Sequence, residues 1–190
     1  MTQEVSPGTY KRLTSGVGQF ALAVGACFAL VLVVAVLSPG NGILGFGKAK
    51  ETLPYVDPSP AAAALRLTAP YTSYAPEGLP ATWRPTSSRI TGTVASKPVS
   101  WHLGYVTPAG EYAALEESNR QPAATFIASV AAGKPAGVRQ VAGVSWTEYA
   151  GAKDRALVRT VGTVSLVVTG TASYDELAAL AGSLQAQPKG

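Results

Sequence analysis

Charged residues are missing from a long stretch near the start of this chain. Between Leu13 and Gly47 there is no Asp, Glu, Lys, Arg or His. The centre of the stretch, residues 17–37, is almost purely apolar. About 20 helical residues match a hydrocarbon core of roughly 30 Å. The sequence therefore predicts a transmembrane helix that inserts residues 17–37 into a lipid bilayer.

Three other interpretations of this stretch fit less well. A cleavable signal peptide has an apolar region of about 7–15 residues and a small-residue cleavage site, whereas this run is longer and ends in AVLSP. A lipoprotein signal would use Cys27, but ten further apolar residues follow that cysteine. A buried helix of a soluble domain would need a larger partner core than the remaining chain offers.

The number of flanking charges does not fix the orientation of the span, because Lys11 and Arg12 precede it and Lys48 and Lys50 follow it. The first pair lies closer to the apolar residues, and long domains are exported largely regardless of charge. We expect a cytoplasmic N-terminus and a C-terminal domain outside the cytoplasm.

The predicted organisation has four parts, and the last is of ordinary size for one domain. They are a cytoplasmic tail (1–16), a transmembrane anchor (17–37), a Gly/Pro-rich tether (38–60) and an extracytoplasmic α+β domain (61–186).

Cysteine and histidine are almost absent, with one residue of each in the sequence. Cys27 lies in the apolar stretch, so the domain cannot form an internal disulfide. A zinc site needs a cluster of His, Cys or carboxylate ligands, and the glycines lack phosphate-loop or dinucleotide spacing. We therefore expect no metal and no cofactor.

Clustered basic residues are lacking as well. The formal net charge is +4, but the Lys and Arg residues alternate with acids and form no run. Nucleic-acid binding needs a concentrated patch of Lys and Arg, so we expect no nucleic-acid partner.

Short apolar runs separated by turn residues dominate the last two thirds of the chain. Pro108–Gly110 and Ala142–Gly143 are typical of hairpin turns, and Ser173 with Glu176 forms a capping-box pattern. The predicted order is one helix, three strands, one helix, four strands and one helix. Short turns between strands indicate antiparallel pairing. We predict a twisted antiparallel sheet of about six or seven strands with the helices on one face.

Several segments resemble a family of single-span actinobacterial proteins that is catalogued only as a domain of unknown function. These segments are PEGLPATWRPTS, WHLGYVTPAGEYAALEES, WTEYAG, ALVRT and VVTGTASYDELAALAGSL. The resemblance covers roughly Val56 to Leu184 and the preceding anchor. It implies an exported, membrane-tethered domain and brings no known activity, cofactor or catalytic residue.

His102 is the one side chain that suggests acid–base catalysis. No G-x-S-x-G segment accompanies it, and it is typical of a half-exposed strand residue. Glu116 and Glu117 are neighbours on a strand, so they point to opposite faces. Glu116 is a candidate for an ion pair with Arg159 across the sheet. We expect no catalytic residue and no acid–base constellation around His102.

Aromatic residues are the remaining conspicuous feature. Exposed aromatics bind sugars or protein partners, whereas buried ones fill the core between sheet and helices. Both interpretations fit the sequence around the candidate contact residues, which are Trp83, Trp101, Tyr105, Tyr112 and Trp146.

These observations predict a membrane-anchored, extracytoplasmic, non-enzymatic binding or assembly module. It would serve as an accessory subunit beside another membrane or cell-envelope protein and use the sheet face that the helices leave open. One alternative is a small-ligand or lipid carrier, which needs a sizeable apolar cavity. Another is an envelope enzyme acting on lipid or glycan, which needs an acid–base constellation.

Overall fold

The computed structural model describes residues 54–93, 95 and 98–188 of the 190-residue chain. They belong to one compact unit, Leu53–Gly190. The predicted tail, anchor and most of the tether lie outside the described residues. Within those described ranges, no helix is long and apolar enough to cross a membrane.

Three helices and nine strands form this part of the chain. The helices are α1 (Ser59–Thr68), α2 (Ala123–Val130) and α3 (Tyr174–Gly182). The strands are β1 (Ser73–Pro76), β2 (Arg84–Thr91), β3 (Ser100–Val106), β4 (Tyr112–Ser118), β5 (Lys134–Val141), β6 (Val144–Ala150), β7 (Arg155–Val161), β8 (Val164–Gly170) and β9 (Leu184–Gln187).

Seven of the strands form one antiparallel sheet in the order β2-β3-β4-β8-β7-β6-β5. The predicted α+β class and antiparallel sheet are therefore confirmed. β1 and β9 form a separate two-stranded sheet, which the sequence did not predict. β1 ends at Pro76, and proline is tolerated at the end of such an edge strand.

The main core lies on one face of the sheet, here called the first face. Strand side chains alternate between faces, so Trp101, Leu103 and Leu115 all point to this side and are fully buried or nearly so. Leu180 of α3 and Leu65 of α1 pack in the same cluster. Helices α1 and α3 therefore cover the first face of the sheet and complete its core.

Helix α2 packs on the opposite face, here called the second face. Its Phe126 lies in a smaller cluster with Ala156, Val158 and Val167. The prediction that all helices share one face is wrong for α2. The physical reason is that β7 and β8 are apolar on both sides, as neighbouring buried Leu157 and Val158 show, and both sides need cover.

The β2–β3–β4 half of the second face is polar. We call it the polar half-face and define it by Ser87, Arg89, His102, Tyr112 and Glu116. These five residues alternate with core residues on the same three strands. α2 borders this region, since its Phe126 and Ser129 line a pocket together with His102 and Glu116.

Candidate functional site

Four of the five candidate contact aromatics lie in the core of the first face. Trp83, Trp101, Tyr105 and Trp146 are buried, and the rings of Trp83 and Tyr105 meet edge to face at 6.1 Å. These four side chains fill the core. Trp101, Tyr105 and Trp146 do so because alternate residues of their strands face the covered side of the sheet, and Trp83 does so from the segment before β2. Tyr112 alone lies at the surface, 38 % exposed.

His102 is bonded at both ring nitrogens. Its Nδ1 lies 2.5 Å from Oε1 of Glu116, and its Nε2 lies 2.9 Å from Oγ of Ser87. A carboxylate only accepts hydrogen bonds, so Nδ1 donates, and Nε2 of the neutral ring then accepts from the Ser87 hydroxyl. Ser87, His102 and Glu116 thus form one hydrogen-bonded chain, which the sequence did not predict.

Sheet register brings these three side chains together. His102 is the direct partner of Glu116 across β3 and β4. The pairing of β2 with β3 shifts between Pro85 and Ser87, and such bulges re-aim a side chain. The shift pairs Ser87 with Gly104, two residues beyond His102 on the same face.

Gly104 gives Ser87 and Tyr112 room to approach the imidazole. A Cβ at this position would lie 2.5 Å from Oγ of Ser87 and 2.8 Å from the Tyr112 hydroxyl oxygen. That hydroxyl lies 3.5 Å from Nε2 of His102. Burial, and next the nearby Glu116 carboxylate, raise the pKa of Tyr112. The phenol therefore stays protonated at neutral pH and can donate a hydrogen bond.

A pocket of about 210 Å³ opens beside His102. It is lined by Arg89, Thr91, Ser100, His102, Glu116, Arg120, Phe126 and Ser129. Arg89 and Arg120 are exposed, and neither guanidinium has an ion-pair partner among the described residues. The one carboxylate in the lining, Glu116, is engaged by His102. The pocket thus offers two guanidinium groups and the Thr91 hydroxyl to a ligand, because the Ser100 and Ser129 hydroxyls donate to Ser118 Oγ and to the Phe126 carbonyl.

The proposed pairing of Glu116 with Arg159 does not form. Register matches Glu116 with Val167, and Val167 with Val158. Arg159 follows Val158 in the strand and so points to the first face, opposite to Glu116. The separation of Glu116 and Glu117 onto two faces is confirmed, because Glu117 is fully buried in the core side.

Glu117 is a buried carboxyl away from the pocket. One oxygen accepts the backbone N–H of Tyr74 at 2.9 Å, and the other has no hydrogen-bond partner in the described part of the chain. Burial raises the pKa of Glu117 to about 8. Through its hydrogen bond to Tyr74, the Glu117 carboxyl connects β1 to β4 of the seven-stranded sheet. With this pKa the carboxyl is mostly protonated at neutral pH.

A larger open depression of about 1030 Å³ lies at the start of α3. Its cations are already engaged. Arg139 bonds Glu148 at 2.7 Å and Asp175 at 3.0 Å, and Arg155 donates to a backbone carbonyl and lies over the Tyr174 ring. The arginines of this depression are therefore less available to a ligand than Arg89 and Arg120 of the pocket beside His102.

Among residues 54–93, 95 and 98–188, no group of three His, Cys, Asp or Glu side chains could hold a metal ion.

Sequence reasoning missed Ser87 and the partner of His102. A local signal existed for Glu116, because His102 lies seven residues before Ala109 and Glu116 seven residues after it. A hairpin centred on that turn places the two residues opposite each other. No comparable signal marks Ser87, since its position depends on the bulge in β2.

Comparisons with known proteins identify no activity for this site. No curated protein and no solved structure matches the chain. Residues 12–184 match the family model described as protein of unknown function (DUF4245). The match covers most of the sequence, so the chain belongs to this family of proteins of unknown function.

Proposed function

We propose that the protein is a single-span membrane protein whose C-terminal domain lies outside the cytoplasm and binds a small anionic group at the polar half-face. The anion would be a phosphate or carboxylate carried by a ligand or partner of the cell envelope. The observation that carries this proposal is the pair Arg89 and Arg120, two exposed guanidinium groups around one pocket without an ion-pair partner among the described residues.

Guanidinium groups favour this ligand class. Arginine is planar, always charged and able to bond a carboxylate or phosphate through two parallel N–H groups. Ser100 and Ser129 also line the pocket, but their hydroxyls donate to Ser118 Oγ and to the Phe126 carbonyl, so the arginines are the main donors to an anion. A volume of about 210 Å³ suits a small headgroup and not a whole lipid, so a carrier of entire lipids is less well supported.

The membrane part of the proposal rests on the sequence. The uncharged stretch between Leu13 and Gly47 is long enough to span a bilayer. The resemblance to single-span actinobacterial proteins supports the same topology. A site held outside the cytoplasm by a tether would meet ligands of the envelope, which is consistent with an accessory role beside a larger membrane or envelope complex.

Isothermal titration calorimetry on the full-length chain in mild detergent tests the binding proposal. Inorganic phosphate, glycerol 3-phosphate and acetate serve as probes. We expect saturable heat with at least one probe and its loss in the double variant Arg89→Gln, Arg120→Gln. Arg66→Gln is the matched control, because Arg66 lies on α1, away from the pocket. Equal binding by the double variant and the parent would contradict the proposal.

A further inference from the structure

We infer that the polar half-face is also an acyl-transfer centre, in which Ser87 is the nucleophile, His102 its general base and Glu116 the residue that orients His102. The substrate class is a small carboxylic ester that carries an anionic group. This inference rests on the proposed function, because Arg89, which lines the pocket with Arg120 and lies two residues from Ser87 on β2, would hold that anionic group; Ser87 itself lies outside the pocket lining.

The hydrogen-bond chain has the geometry that nucleophilic catalysis requires. A serine hydroxyl is a weak nucleophile until a base within about 2.6–3.2 Å takes its proton, and a third group must orient that base. The Ser87–His102 distance of 2.9 Å and the His102–Glu116 distance of 2.5 Å meet both conditions. The three residues come from three adjacent strands, so the sheet itself holds their spacing.

The reaction balances with water as the second reactant. Oγ of Ser87 attacks the ester carbonyl carbon, its proton passes to Nε2 of His102, and the carbonyl oxygen takes the electron pair. Collapse of this intermediate breaks the bond to the alcohol, which leaves with the proton from His102. Water then attacks the acyl-Ser87 ester by the same route. The products are a carboxylic acid and an alcohol, and Ser87 is regenerated.

Tyr112 is placed to stabilise the charge that develops on the carbonyl oxygen. Its hydroxyl lies beside His102 Nε2 at 3.5 Å, on the same side of the sheet as Ser87. A protonated phenol donates a hydrogen bond to an oxyanion, and such donors contribute strongly in partly dehydrated sites. Gly104 leaves the space that the Ser87 and Tyr112 hydroxyls occupy beside His102.

The spacing of Ser87 and Arg89 sets the shape of the substrate. Two residues apart on one strand, their Cα atoms are separated by about 7 Å, and their side chains share a face. An ester whose anionic group lies a few bonds from the carbonyl would span that distance. Large neutral esters would leave the two arginines unpaired.

Covalent labelling of the full-length chain with a fluorophosphonate probe tests the inference. Ser87 Oγ bonds to phosphorus, fluoride leaves and His102 takes the proton. We expect a single adduct that peptide mass spectrometry maps to Ser87. Ser87→Ala should abolish it, and His102→Gln should slow labelling by about 100-fold or more. Ser88→Ala is the matched control, because Ser88 accepts from Trp101 on the first face; it should label like the parent.

The outcomes separate this inference from the binding proposal. Absence of an adduct at Ser87 in a protein that still binds one of the anionic probes would overturn the catalytic inference alone. Labelling that is equal in parent and His102→Gln, with unchanged thermal unfolding, would also overturn it. A Ser87 adduct in a protein that binds none of the anions would support the nucleophile and contradict the anion site.

Discussion

His102 of β3 and Glu116 of β4 are direct partners across the sheet, with Nδ1 of one 2.5 Å from Oε1 of the other. This contact fixes the ring so that Nε2 faces Ser87. It also occupies the one carboxylate that lines the pocket. The same pair therefore orients the imidazole and leaves Arg89 and Arg120 available to an anion.

Substituting Gly104 tests how the hydroxyls reach His102. A Cβ there would overlap Oγ of Ser87 and the Tyr112 hydroxyl, and both are ends of side chains that can move aside. We expect Gly104→Ala to alter the free energy of unfolding by less than about 1 kcal/mol while it abolishes fluorophosphonate labelling. Urea unfolding and labelling rates measure the two effects. Loss of folding together with labelling would contradict this interpretation.

Glu117 makes stability depend on pH. Its folded pKa of about 8 lies above the ordinary value of 4.5, so between these pH values the folded state holds a proton that the unfolded chain has lost. The stabilisation that protonated Glu117 gives the folded state is fully present below pH 4.5. It is lost as pH rises towards 8, and the free energy of unfolding then falls by at most about 1.4 kcal/mol per pH unit.

Glu117→Gln should flatten this dependence, because the amide cannot ionise and its oxygen can still accept from Tyr74. Urea midpoints between pH 5 and pH 8.5 measure it. Glu77→Gln, at an exposed carboxyl, should keep the parent's slope. Parallel profiles for Glu117→Gln and the parent would show that Glu117 titrates normally in the folded protein.

Leu180→Ala tests the packing of α3. Leu180 is completely buried in the first-face core, and truncating a buried leucine costs about 2–5 kcal/mol. Leu67→Ala is chemically identical, but Leu67 is 74 % exposed, so we expect a change within about 0.5 kcal/mol. Urea midpoints compare the two variants. If Leu180→Ala were as stable as Leu67→Ala, the packing of α3 in the core would be contradicted.

The predicted topology is tested with a reporter fused after Gly190. An export-dependent enzyme, such as alkaline phosphatase, should be active there, because the span and tether would place the domain outside the cytoplasm. Activity of a cytoplasm-dependent reporter at the same position would overturn the extracytoplasmic localisation.

Local patterns predicted much of this fold, and contacts distant in sequence explain the errors. The capping box of Ser173 and Glu176 is present as predicted, as are the hairpin turns, because each depends on a few neighbouring residues. The predicted position of α2 is wrong, because the face on which α2 packs depends on β7 and β8 being apolar on both sides. Ser87 was missed because the bulge in β2 decides which residue faces His102.

The most direct test of the central claim uses the imidazole of His102, which belongs to the only histidine of the chain. In a full-length protein carrying ¹³C-labelled histidine and a histidine-free tag, its ring gives a single set of NMR signals. Titration with inorganic phosphate or glycerol 3-phosphate at constant pH should shift these signals saturably. The shift should vanish in Arg89→Gln, Arg120→Gln and persist in Arg66→Gln. Signals that stay unmoved by these probes and by acetate would contradict an anion site at the polar half-face.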